Sequence, residues 1–264
     1  MTATPLPAPV ADLIARLRAA GCVFAEDEAR LLVDAARSSA ELAEMVERRV
    51  AGLPLEHLLG WAEFAGRRVA VDPGVFVPRR RTELLAREAA RRARSGAVVV
   101  DLCCGSGAVG VAVAAAVPGI ELHAADVDPA AVRCARRNVG AVGGWVHEGD
   151  LDAPLPPTLA GRVGVLVANA PYVPTDAVGL MPPEARLHEP RVALDGGADG
   201  LDIQRRVAAA APRWLAPDGH LLIETSERQA PHTAAAMAAA GLAAQVVQDA
   251  DLDATVVVGR RAEG

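Results

Sequence analysis

The chain has 264 residues, 52% of them hydrophobic and 23% charged, which is enough apolar material for one large domain and a smaller one and too much for a disordered chain. Its net charge of −6 argues against a nonspecific nucleic-acid coat. Cys22, Cys103, Cys104 and Cys134 fall at no metal-ligand spacing, so they read as small core residues of a reducing compartment, and no metal is expected.

From about Pro9 to Ala51, apolar residues recur at helical spacing, as in Val10, Leu13, Ile14 and Leu17, then Leu31, Leu32, Ala35, Leu42, Met45 and Val46. Gly21 and Ser38-Ser39 are natural breaks, giving a small domain of about three helices. Asp12, Arg16 and Arg18 interrupt any basic-then-apolar targeting pattern. From Trp61 to Pro78 the period changes: Val69, Val71, Val75 and Val77 alternate around Asp72-Pro73-Gly74, which predicts a β-hairpin or strand pair linking two domains. Thr82 to Arg94 is helical again.

Beyond Ala97, strands and helices alternate. The predicted strands are Ala97–Leu102, Ile120–Ala125, a weak one at Trp145–His147, Val163–Ala168, Gly219–Thr225, Leu242–Gln248 and Thr255–Gly259. Helices follow Gly107 and Asp128 and are predicted at Ile203–Leu215 and Gln229–Ala240, and residues 170–200 form a Pro- and Gly-rich loop too long for a passive connector. The pattern is an α/β, doubly wound, mostly parallel seven-stranded sheet behind a small helical N-terminal domain. The boundaries expected are 1–58, 59–80 for the hairpin linker and 81–264. The Val109–Val117 run stops at Pro118-Gly119, short of a membrane span. The expected location is cytoplasmic.

Two stretches carry chemistry. The first strand runs into Asp101-Leu102-Cys103-Cys104-Gly105-Ser106-Gly107, where glycines allow a tight turn close to a ligand and the next helix offers free N–H groups. Asp126 ends the second strand, placed to accept from both hydroxyls of a ribose. Gly105, Gly107 and Gly110 also satisfy the dinucleotide fingerprint, so an NAD-linked oxidoreductase stays open at this point. Asp101 favours a cationic amine over a pyrophosphate, and Asp150 suits an adenine amino group, which tilts the reading toward a methyl donor. The fourth strand runs into Asn169-Ala170-Pro171-Tyr172. An amide nitrogen is a poor nucleophile because its lone pair is delocalised. Acceptors on its two hydrogens, the Asn169 oxygen and the Ala170 carbonyl, would localise that pair in the transition state, and Tyr172 would fix the planar group.

With these residues in place the chain resembles the HemK-type protein-(glutamine-N5) methyltransferases over roughly Leu53 to Thr225. The resemblance rests on Gly60-Trp61-Ala62-Glu63-Phe64, on Val75-Phe76-Val77-Pro78-Arg79 with Thr82-Glu83, on Asp101 to Gly107, on Asp126, and on Asn169–Tyr172 at the family's Asn-Pro-Pro-Tyr position. It implies a class I methyltransferase fold, S-adenosylmethionine as cofactor bound by Asp101, Cys103, Cys104, Gly105, Ser106, Gly107, Asp126, Asp150, Leu151 and Asn169, and Leu151 near the adenine. It also implies a flap from Glu189-Pro190-Arg191-Val192-Ala193-Leu194 to Gly196-Gly197-Ala198-Asp199-Gly200-Leu201, with Glu189 joining residues 169–172 at the substrate. The implied reaction is methylation of a protein glutamine, with a peptide-chain release factor as the leading partner and no membrane or stable nucleic-acid partner. Ala170 for the family's first Pro and Cys103-Cys104 for its Gly-Thr mark a divergent branch. Without the ring that fixes φ, the loop at Ala170 is expected to be looser.

Transfer to an exocyclic amine of a nucleic-acid base is the alternative reading, and a donor-binding module without turnover is a further one. Arg79-Arg80-Arg81 reads equally as a solvated cluster or a clamp for a carboxylate or phosphate. The histidines, His57, His123, His147, His188, His220 and His232, are scattered in sequence and are expected to form no ligand pair.

Overall fold

A computed structural model describes residues 8–262; the outer ends of the expected 1–58 and 81–264 segments, 1–7 and 263–264, lie outside the described residues. Helices α1 (Ala8–Ala19), α2 (Ala25–Ala35), α3 (Ser39–Val50) and α4 (Leu55–Leu59) come first. The Ser38 side chain caps α3 by accepting from the Glu41 N–H. These helices close on a core of their own built from Leu13, Leu17, Leu32 and Val46.

Strands β1 (Trp61–Phe64) and β2 (Arg67–Ala70) pair antiparallel. Their turn is at Ala65-Gly66, both with positive φ (50° and 70°), the twist a two-residue hairpin needs. The hairpin expected around Asp72-Pro73-Gly74 is therefore misplaced. That tripeptide is a separate turn, closed by the Val75 N–H donating to Asp72 O. The alternating valines signalled burial rather than pairing: Val71, Val75 and Val77 pack with Ala62 against Ala131 and Cys134.

The remaining elements are α5 (Glu83–Arg92), β3 (Val98–Leu102), α6 (Ala108–Ala116), β4 (Glu121–Asp126), α7 (Pro129–Ala141), β5 (Trp145–Glu148), β6 (Val163–Ala168), α8 (Pro183–His188), α9 (Asp202–Trp214), β7 (Leu215–Thr225), α10 (Ala230–Ala239), β8 (Leu242–Asp249) and β9 (Ala254–Arg261). The seven strands β3–β9 form one sheet in the order β5-β4-β3-β6-β7-β9-β8. Pairing is parallel from β5 through β7, and β9 is antiparallel to both β7 and β8. Alternate strand residues feed two cores. Val99, Val165, Val167 and Leu222 pack with α5, α6 and α7 on one face. Val100, Leu166, Leu221 and Ile223 pack with α9 and α10 on the other. The chain leaves β3 for β4 and β5 on one side and returns to β6 on the other, opening a crevice at the carboxyl ends of β3 and β6. No described helix is long and apolar enough to cross a membrane.

The 170–200 segment is a structured strap containing α8, and ion pairs tie it down at two places. Arg49, 6% exposed, holds Glu28 at 2.6 Å within the N-terminal helices and Glu184 of α8 at 2.6 Å. Glu189, following α8, accepts from the Val77 N–H (3.1 Å) and from Arg79 (2.5 Å). Removing Arg49 strands a carboxylate that is itself buried. Arg49→Met is thus expected to cost about 3 kcal/mol in urea unfolding, with part of the loss recovered when Glu28→Gln is combined with it.

Candidate active site

The crevice opens into a cavity of about 390 Å³ lined by Asp101, Cys103, Cys104, Gly105, Ser106, Asp126, Asp150, Leu151 and all of Asn169 to Tyr172. Register explains the gathering. Leu102 stands opposite Ala125 of β4 and Ala168 of β6, and Ala168 opposite Ile223 of β7. The polar residues at these strand ends, Asp101, Asp126, Asn169 and Glu224, therefore share one rim of the sheet.

In the loop after β3, Cys103 adopts φ 54° and Gly105 and Gly107 adopt φ 56° and 79°. A Cβ on Gly107 would lie 2.7 Å from Val139 Cγ2, so this glycine serves both the backbone angle and the seating of α6 on α7. It does not line the cavity and shapes the turn that carries the lining residues. The Gly105 N–H donates to Asp126 Oδ2 (2.8 Å), and the Asp128 N–H to Asp126 Oδ1 (2.9 Å). The Gly110 N–H donates to Asp101 Oδ2 (2.9 Å). Neither acid has an ion pair among the described residues. Burial pushes the Asp101 carboxyl up to about 7, with Asp126 adding to the rise, and burial also raises Asp126. Burial drives the thiols of Cys103 and Cys104 far up, with Asp126 and Asp101 reinforcing it.

Such a cavity fits S-adenosylmethionine. One buried and one half-buried acid without counter-ions suit a cationic amine and a ribose diol, and they would repel a pyrophosphate. Asp150 is the exception among the expected contacts. It is exposed at the rim and paired with Arg206 at 2.6 Å, so the adenine edge would have to share it. Leu151, buried with φ 50°, lines the wall beside it.

Residues 169–172 are held from outside rather than by a second proline ring. Ala170 is 1% exposed. The Val173 N–H donates to Leu194 O (3.0 Å) and the Gly196 N–H to Val173 O (2.8 Å). Gln229 Nε2 donates to Tyr172 O (3.0 Å). A Cβ on Gly200, at φ 77°, would lie 2.3 Å from Tyr172 O, and one on Gly196 would lie 2.6 Å from Pro171 O. The expected looseness at Ala170 is offset by these contacts.

Glu189 corrects the expectation of a substrate ligand. It is not part of the cavity wall, and both its contacts anchor the strap to the segment before α5. Two residues of the arginine cluster do line the cavity and are also paired there: Arg79 with Glu189, and Arg81, whose Nε lies 3.6 Å from Glu224. Two histidines meet despite their separation in sequence. His123 and His147, on neighbouring strands, are joined Nδ1 to Nε2 at 2.9 Å, and Trp145 stacks on His123. They bond each other at the sheet edge, outside the cavity wall. Two polar residues, Thr82 in the cavity wall and Glu224 behind it, are not among the site residues expected from sequence. Glu224 is the next-to-last residue of a strand like Asp101, and reading every strand end alike would have found it.

Comparison with known proteins points to methyltransferases. Residues 66–181 match the family model described as Methyltransferase small domain. The chain is 37% identical over 273 residues to the release factor glutamine methyltransferase of Deinococcus radiodurans, covering 95% of this chain and 96% of that protein. It is 41% identical over 188 residues to the protein of the same name from Geobacter sulfurreducens, covering 70% of this chain and 65% of that protein. Among solved structures, a methyltransferase from Pyrococcus furiosus superimposes with a TM-score of 0.56 at 15% identity, over 82% of this chain and 99% of that one. This last likeness speaks to the fold alone.

The Asp101 carboxyl gives a pH dependence. With its pKa near 7 in the free protein and lowered once a cationic amine is bound, donor binding displaces a proton below that pH. Calorimetric affinity for S-adenosylmethionine is expected to be flat above pH 7 and to weaken by up to about tenfold per unit below it. The dependence should disappear in Asp101→Asn, whose affinity is low throughout.

Proposed function

The chain belongs to the release factor glutamine methyltransferase family, and from that premise we propose that it transfers a methyl group to the side-chain amide nitrogen of a protein glutamine, in a peptide-chain release factor. The observation carrying this reading is the convergence, on one cavity, of Asn169-Ala170-Pro171-Tyr172 with the acid-lined loop after β3.

S-adenosylmethionine, when bound, supplies an electrophilic methyl on a sulfonium centre. Asp101 would hold the amine of the donor and Asp126 its ribose hydroxyls. Asn169 Oδ1 and the Ala170 carbonyl accept the two hydrogens of the substrate amide. As nitrogen turns pyramidal its hydrogens become more acidic, so these bonds strengthen in the transition state more than in the ground state. Tyr172, half-buried, keeps its phenol protonated because burial pushes its pKa up to about 12, with Glu224 adding to the rise. Its ring therefore presents an uncharged face to the planar amide. The strap closes the other side of the cavity with Met181, Val192 and Leu194, which limits water around the reacting atoms.

The test is to incubate the chain with isotopically labelled donor and the release factors of the same organism, then map label by mass spectrometry. Label on the glutamine of the Gly-Gly-Gln peptide is expected, with Asn169→Ala slower by on the order of 100-fold. Nuclease-sensitive label, or label absent from that glutamine, would instead favour a base amine or another target.

A further inference from the structure

Behind the Asn169 amide lies a line of polar groups that the chemistry above does not use. Glu224 is 2% exposed. Its Oε1 lies 3.4 Å from the Tyr172 hydroxyl and 3.6 Å from Arg81 Nε, while its Oε2 has no hydrogen-bond partner among the described residues. Thr82, also 2% exposed, lies beside the same carboxylate and favours its charged form. The Thr82 hydroxyl oxygen accepts from Asn169 Nδ2 at 3.4 Å.

The chemistry of the groups gives this line a direction. An ionised carboxylate only accepts. The Thr82 hydroxyl has one hydrogen, and once it is given to Glu224 only lone pairs remain to face Asn169. The Asn169 amide must therefore turn its NH2 toward Thr82, leaving Oδ1 on the other side. An asparagine amide can turn end over end with almost no change of shape, so packing alone would not choose. The wrong choice would be costly, since an NH2 group facing the hydrogens of a substrate amide sets donor against donor.

We propose that Glu224 and Thr82 are positioning residues that fix the orientation of the Asn169 amide, holding Oδ1 as an acceptor toward the nitrogen to be methylated. The proposal rests on the reading of an amide nitrogen as methyl acceptor. The Tyr172 hydroxyl donates to the same carboxylate, so one buried acid orients both polar side chains of the 169–172 segment. Arg81 and Tyr172 are the charged and titratable groups facing it. Burial raises the Glu224 pKa, against the opposing pull of Thr82, Arg81 and Tyr172. A protonated Glu224 becomes a donor as well, and the line then loses its direction. Activity should accordingly fall on the acid side with a midpoint above the ordinary glutamate range.

Two measurements test this. The side-chain amide signals of Asn169 in nitrogen-15-labelled protein, identified by their loss in Asn169→Asp, report the orientation without any substrate. They should move and exchange faster with water in Thr82→Val and Glu224→Gln, and stay in place in Thr82→Ser. With the release factor as substrate, Thr82→Val should lower kcat roughly 10- to 100-fold at unchanged donor affinity, and Thr82→Ser should recover most of it. Glu224→Gln should also lose the acid-side midpoint. Wild-type amide signals in Thr82→Val overturn the proposal, and so does wild-type kcat on a substrate that the unmutated chain methylates. If the unmutated chain leaves every release factor unmodified, the substrate assignment fails instead, and the amide signals alone decide the orientation.

Discussion

Parallel pairing of β4, β3, β6 and β7 in fixed register is the constraint on which the site depends. Neighbouring strands lie about 4.8 Å apart, so residues ending four adjacent strands occupy one line about 15 Å long. The interiors of these strands are short apolar runs, Val98-Val99-Val100 and Val165-Leu166-Val167 among them, buried on both faces. Slipping one strand by a residue would exchange its two faces and drive Asp101 or Glu224 into a hydrocarbon layer. The core thus sets the spacing of the polar groups, although it touches no ligand.

The electrostatics of the rim follow from the same burial. Asp101 is removed from water and Asp126 partly so, and both are given backbone N–H groups, yet no described arginine pairs with either of them. The nearby Arg206 is engaged by Asp150. The cavity therefore keeps an unbalanced negative character at the loop after β3, which discriminates between cofactors that glycine spacing alone does not separate. Farther along the rim, Glu224 has Arg81 and two hydroxyls for company. The acids differ in role because their surroundings differ.

The sequence made the sheet legible because each strand was a dense apolar run bounded by Gly, Pro or Asp, and Asp128-Pro129 marked the start of α7. It made the cavity residues legible because they end those strands. The hairpin was misread because Val71, Val75 and Val77 alternate for burial against α7, a signal that period alone does not separate from pairing. Glu189 was misread because its position in the strap says nothing about which way it points. The Arg49–Glu184 tie spans 135 positions, and His123 meets His147 across two strands; no local pattern reveals such contacts. Thr82 looked like an ordinary helix opener, and only the folded chain sets it between Asn169 and Glu224.

The thiols of Cys103 and Cys104 stand where the loop after β3 turns and line the cavity that would hold a donor with an electrophilic methyl. A thiolate there would outcompete any amide for that methyl and leave the protein alkylated on itself. Because burial and two neighbouring carboxylates keep both sulfurs protonated, and so weakly nucleophilic, the loop can carry cysteines without becoming its own victim. The low reactivity should extend to outside reagents most fully at Cys104, the buried member of the pair.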